Sequence, residues 1–208
     1  MTREEWYSTL VMRHGEALQQ KLSEAHVAVC GLGGLGSNVA ISLARSGVEN
    51  LHLIDFDRVN ISNLNRQQYG VSQLGMYKTE ALKQTLLEIA PYCNVIAHTV
   101  KLTEENLSLL SDCGIICECF DNAECKAMLV NGVAEHYPNK YIVAASGMSG
   151  LHTGNTIITK SLGKRLYICG DGISDVADDG TLFAPRVMLC AAHQANTILR
   201  IIAGKFDV

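Results

Sequence analysis

The chain has 208 residues, is 48% apolar, and carries 17 Lys+Arg against 21 Asp+Glu for a formal charge of −4. That is enough chain to bury one sizeable core, and its charges form no basic stripe of the kind that backbone binding to nucleic acid needs, so no nucleic-acid partner is expected. No apolar run approaches the roughly 20 residues of a membrane span and the N-terminus lacks a signal-peptide core, which predicts a cytosolic protein without a membrane partner.

With no Pro/Ser-rich linker in it, the chain reads as a single domain over 1–208, with an N-terminal helical arm (1–25) and a core (26–208) that includes a crossover region (161–184). In the arm, Trp6, Leu10, Val11, Leu18 and Leu22 suggest one or two short helices interrupted at Gly15. Val27–Cys30 reads as a buried strand, Ser37–Ser46 as a helix ending at Gly47, and Leu51–Phe56 as a second strand, a spacing that suits a parallel βαβ unit. Asp57–Gln68 is a polar loop with three asparagines and two arginines. Lys78–Ala90 restores helical spacing until Pro91. Strands are expected at Val95–Val100, Ile115–Phe120, Tyr141–Ala145 and Asn155–Lys160, and helices at Glu104–Leu110, Ala123–His136 and Leu189–Ala203. This alternation predicts a doubly wound, mostly parallel α/β sheet of the Rossmann kind with helices on both faces. The eight cysteines, several inside apolar runs, read as reduced core thiols.

Chemistry concentrates in Val27–Gln67. Gly31, Gly33 and Gly36 form G-x-G-x-x-G between strand and helix, with Gly34 inside the turn, so the backbone can approach a phosphate at a helix N-terminus. Asp55 ends the next strand at the spacing a ribose needs. NAD would use the same opening. The cations Arg66 and Lys78 follow at a distance that suits a triphosphate, and Asp121, ending a later strand, is placed to hold magnesium.

Gly31-Leu-Gly-Gly-Leu-Gly-Ser37, Asp55-Phe-Asp57, Ser62-Asn-Leu-Asn-Arg-Gln67, Lys78 and Phe120-Asp-Asn122, in that order, resemble the motifs of the ThiF/MoeB/HesA family, relatives of the ubiquitin-activating enzymes. The resemblance extends from about Val27 to Ala184-Pro-Arg186 and the last helix. It implies ATP-dependent adenylation of the C-terminal glycine carboxylate of a ubiquitin-like sulfur-carrier protein ending in Gly-Gly, with release of pyrophosphate. By matching position, Asp55 would bond the ribose, the Gly31–Gly36 turn would face the adenosine and α-phosphate, Asn63, Arg66 and Lys78 would hold the phosphates, and Asp121 would bind magnesium. Asp57 and Asn122 fall within the same motifs.

The family's zinc-binding C-x-x-C pairs are absent, so no zinc is expected, and the C-x-C pair Cys117 and Cys119 reads as packing. Two further roles come by resemblance: Cys169 as a carrier-accepting thiol in a connection, and Arg13 reaching the site from the second subunit of a homodimer. Gly170–Gly180, acidic and glycine-rich, reads as a mobile loop. The short, zinc-less form suggests a ThiS-like carrier of thiamine thiazole synthesis, with a MoaD-type carrier of molybdopterin synthesis as the alternative. From other classes stand an NAD-binding oxidoreductase and a non-catalytic nucleotide-binding regulator.

Overall fold

The computed structural model describes residues 1–208. One seven-stranded sheet runs in the order β3-β2-β1-β4-β5-β7-β6. It consists of β1 (His26–Cys30), β2 (Asn50–Asp55), β3 (Asn94–Thr99), β4 (Ile115–Glu118), β5 (Tyr141–Ala145), β6 (Ile158–Leu162) and β7 (Leu166–Gly170). All pairings are parallel except β6 with β7.

Alternation along the central strands separates two cores. Val27, Val29, Leu51, Leu53, Val143 and Cys169 belong to a cluster of 34 buried residues, beneath the helices α3 (Gly34–Arg45), α4 (Lys78–Ile89) and α7 (Ala184–Ile202). Ala28, Cys30, Ile54, Ile116 and Ile142 face a cluster of 11, under α5 (Ala123–His136) and a 3₁₀ helix at Glu104–Leu110. The doubly wound α/β architecture with helices on both faces is thus as the sequence predicts.

The departures have local causes. Helix α3 starts at Gly34, so the glycine turn is itself its first turn. Helix α7 starts at Ala184 rather than Leu189, with Pro185 in the first turn, where its missing N–H has no helical acceptor to lose. The expected strand at 155–160 lies at Ile158–Leu162 and turns back through Gly163, whose φ of +80° suits glycine, into the unforeseen β7. Region 161–184 is therefore no simple crossover: it holds part of β6, all of β7 and the short helix α6 (Val176–Asp179).

The arm forms α1 (Arg3–His14) and α2 (Glu16–Glu24), broken at Gly15 with φ +81°. A Thr2–Glu5 capping box opens α1. Arg3 Nη2 pairs with Glu49 at 2.9 Å and buried Gln19 donates to the Gly47 carbonyl, so the arm packs at the N-terminal ends of the strands.

Candidate functional site

The strand order reverses between β1 and β4, and the crevice beyond their C-terminal ends is the switch point where such sheets bind ligands. The chain leaves β1 through Gly31, whose φ is +88° and whose added Cβ would meet the Cys119 carbonyl oxygen at 2.9 Å. A Cβ on Gly36 would lie 1.8 Å from the Gly31 oxygen, so this turn admits no larger residue there. Gly33 is the N-cap of α3 and no side chain caps the helix, which leaves its first-turn N–H groups facing the crevice end of the sheet.

Asp55, buried at the end of β2, accepts from Leu32 N–H (2.7 Å) and Asp57 N–H (2.8 Å), which fixes its carboxylate beside the turn. Lys78, the first residue of α4, is also buried. Its Nζ is 2.7 Å from Asp57 and 4.0 Å from Asp55. A backbone bond from Lys78 N–H to the Asp57 carbonyl (2.9 Å) and a bridge between Arg58 and Tyr77 close the neck of the 57–78 segment.

That segment is an ordered lobe rather than an open loop. Asn60 and Asn63 cap a 3₁₀ turn at Ile61–Asn63 reciprocally, which commits the Asn63 Oδ1 to structure and leaves its Nδ2 as a donor. Gln68 bonds Asn38 (2.8 Å), and the buried Tyr69 hydroxyl donates to the Leu32 carbonyl (2.7 Å), so the lobe is seated on the glycine turn. Burial, with Asp55 and Asp57 nearby, raises the Tyr69 phenol and keeps it a donor. Arg66 lies across Gly34: its stem is 3.5 Å from where a Cβ would stand, and Nη1 donates to the Ser62 carbonyl (3.1 Å) and Asn65 (2.8 Å). Its buried Nε has no partner, and neither has the Oε1 of Gln67 beside Gly33. A guanidinium N–H left unbonded next to an uncapped helix N-terminus suits an anion.

On the other side of the turn, Asp121 follows β4 with an exposed carboxylate, while the Asn122 side chain caps α5 by accepting from Cys125 N–H (3.0 Å). A cavity of about 430 Å³ opens between residues 101–105 and the start of α5, lined among others by Lys101, Leu102, Glu105, Glu124, Cys125 and Met128. Since Asp55 pairs in register with Thr99, this cavity lies just past the ends of β2, β3 and β4. Flanking Asp121 in the chain is an ion pair that sequence reading missed: Lys126 Nζ bonds both oxygens of Glu118 (3.0 and 2.9 Å). Burial raises the Glu118 carboxyl, and Lys126 and the Phe120 N–H oppose that rise.

The remaining candidates lie elsewhere. Cys169 is not in a connection but on β7, fully buried, and burial pushes its thiol up to about 11; it offers no accessible nucleophile. Arg13 is exposed on α1, in the arm at the opposite end of the strands from the crevice. All eight cysteines are free, and the Cys117 and Cys119 sulfurs are 3.5 Å apart within the core. The 170–180 segment is tied down. Asp171 accepts from the N–H groups of Ile173 and Ser174 and pairs with buried Arg186, which also donates to the carbonyls of Ser149, His152 and Thr153.

Fold and turn together define a Rossmann-like α/β protein with a glycine-opened, uncapped helix N-terminus at its switch point. Residues 7–208 match the ThiF family. The chain belongs to that family, as its motifs imply. It is 32% identical over 197 residues to the adenylyltransferase and sulfurtransferase UBA4 of Candida glabrata, covering 91% of this chain and 45% of that protein. To the molybdopterin-synthase adenylyltransferase of Escherichia coli it is 28% identical over 193 residues, covering 89% and 76%. The chain spans about half the length of several curated relatives it matches. In structure it resembles the E. coli tRNA N6-threonylcarbamoyladenosine dehydratase TcdA solved with AMP, with a TM-score of 0.84, 22% identity and coverage of 95% and 93%, a likeness of fold.

Proposed function

We propose that this chain is an ATP-dependent adenylyltransferase that activates the C-terminal carboxylate of a ubiquitin-like carrier protein. The observation that carries the reading is a pair of cations about the glycine turn: Arg66, with its unpartnered Nε, against Gly34 at the uncapped N-terminus of α3, and Lys78, 4.0 Å from the Asp55 carboxylate that holds the Leu32 N–H. Such a constellation stabilises charge building up on a phosphoryl group and its leaving oxygens, and the first step needs no protein nucleophile. Asp55 would accept from the ribose hydroxyls, the cavity beyond β3 and β4 would take the base, and Asn63 Nδ2, Arg66 and Lys78 would hold the phosphates. The carrier carboxylate attacks the α-phosphorus and pyrophosphate departs.

No group of three or more His, Cys, Asp or Glu side chains is placed to hold a metal by itself. The exposed Asp121 carboxylate fits a magnesium ion that takes its other ligands from phosphate oxygens and water. Bound there, the ion would neutralise charge on the pyrophosphate leaving group. Arg13 could act at this site only from a second copy of the chain, which is the form of homodimer the resemblance implies.

The names of the relatives favour a carrier of the molybdopterin-synthase type over a thiazole-synthesis carrier. Isotope exchange between pyrophosphate and ATP with MoaD, ThiS, and each lacking its terminal Gly-Gly separates the two. Exchange with intact MoaD alone is the expected result; exchange with ThiS alone would reverse the assignment, and exchange with neither would remove the carrier reading.

A further inference from the structure

The ends of β4 and β5 part company just where the site begins. Their last paired residues are Cys117 and Val143, after which β5 continues beside β7 as far as Ala145 and Cys169. Two side chains fill the gap that opens. From α7, buried Gln194 Nε2 donates to the carbonyls of Glu118 (2.9 Å) and Val143 (3.3 Å). From α5, Lys126 Nζ donates to the Ala145 carbonyl (3.0 Å) and to both Glu118 oxygens, so three good acceptors surround the ammonium group.

Glu118 in turn accepts from the Phe120 N–H at 2.6 Å, folding the chain back on itself two residues later. The Cys119 N–H bonds the Cys30 carbonyl (2.8 Å), which ties the same point to β1 and the glycine turn. Asn122 closes the other side through its cap on α5. Residues 118–126 thus form a ring closed by the Glu118–Lys126 pair, and Asp121 is an exposed carboxylate within it, ahead of the first turn of α5. The Glu118 side chain is 1% exposed and that of Lys126 27%, so neither is a surface charge free to wander.

We infer that Glu118 and Lys126 are positioning residues for Asp121, holding its carboxylate where a phosphate-bound divalent cation can share it. The inference rests on the proposed ATP and magnesium reading. A buried pair need not stabilise the fold over an apolar replacement, so its use here is to fix one geometry of the turn.

Calorimetric titration of ATP, with magnesium and separately with EDTA, reads this without turnover. Lys126→Met alone would strand the Glu118 charge and can unfold the chain, so the informative variant is Glu118→Gln with Lys126→Met, which leaves no lone buried charge. Its gain in ATP affinity from magnesium is expected to fall by about tenfold or more, towards that of Asp121→Asn, with affinity in EDTA near wild type. Lys126→Arg should keep the gain. A double variant that retains the wild-type gain, or loses affinity equally with and without magnesium, overturns the inference. Wild-type protein that binds ATP without any gain from magnesium overturns it too, whereas wild type that binds no ATP overturns the proposed function itself.

Discussion

Arg66 and Lys78 are both cations beside the glycine turn and its ribose acid, yet the fold holds them differently. Lys78 is buried and already faces two carboxylates, Asp57 at 2.7 Å and Asp55 at 4.0 Å, so its charge is largely balanced before any phosphate arrives. Arg66 is anchored only by its Nη1 and has a buried N–H without an acceptor, which makes it the group with most to gain from a developing negative charge. Arg66→Ala is expected to slow adenylation by a factor on the order of 100 or more, measured as the loss of pyrophosphate exchange at saturating ATP. Weakened ATP binding with turnover at saturation intact would make it a ground-state ligand only. Both cations were legible in the sequence because each belongs to a motif of the family. Glu118 and Lys126 were not legible as parts of the site: their significance comes from a gap between two strands, which has no sequence signature. Gln67 lies within a motif, but its unpaired amide oxygen shows only in the packed structure.

The two faces of the sheet are unequally covered, and the thin one bears a row of histidines across β1, β2 and β3. His52 Nδ1 lies 3.3 Å from His98 Nε2 in a ring-to-ring hydrogen bond, and the His26 ring is 6.2 Å from that of His52. Burial lowers the His52 imidazole, and the His98 and His26 charges add to this against the opposing Asp112; burial also lowers His98. A histidine whose folded pKa lies below its unfolded value of 6.5 binds more protons in the unfolded chain. The contribution to stability is therefore complete above about pH 6.5 and is lost as the pH falls below it. The urea midpoint should drop between about pH 7.5 and about pH 5.5, and His52→Gln should flatten that drop; equal slopes in the two proteins would contradict the assignment. At this scale the sequence predicted α5 and β5 to the residue, because Asn122 caps the start of α5 and Tyr141–Ala145 is an unbroken apolar run. It missed β7, whose short run Leu166–Gly170 is embedded in glycines and charges and takes its strand identity from pairing with β5 and β6.

For the molecule as a whole, the fold was legible because glycine turn, crossover length and alternating elements all point to one parallel sheet. The site was legible where a motif sits at a strand end, and not where tertiary packing decides. Cys169 reads as part of a connection until β7 forms around it, and the 170–180 segment reads as mobile until Arg186, buried in the first turn of α7, joins Asp171 to the 149–153 carbonyls. What these placements leave is a crevice whose cations, uncapped amides and acid the proposed reading assigns to a nucleotide's phosphates and ribose, while Cys169 is buried in β7. In the proposed reaction an adenylate forms there on a carrier's terminal carboxylate. Intact-mass measurement of a carrier incubated with this chain, ATP and magnesium tests it most directly. A mass gain of one AMP on the carrier ending in Gly-Gly, and none on the carrier lacking it, is the predicted result; an unchanged carrier mass while the chain binds NAD in place of ATP would contradict it.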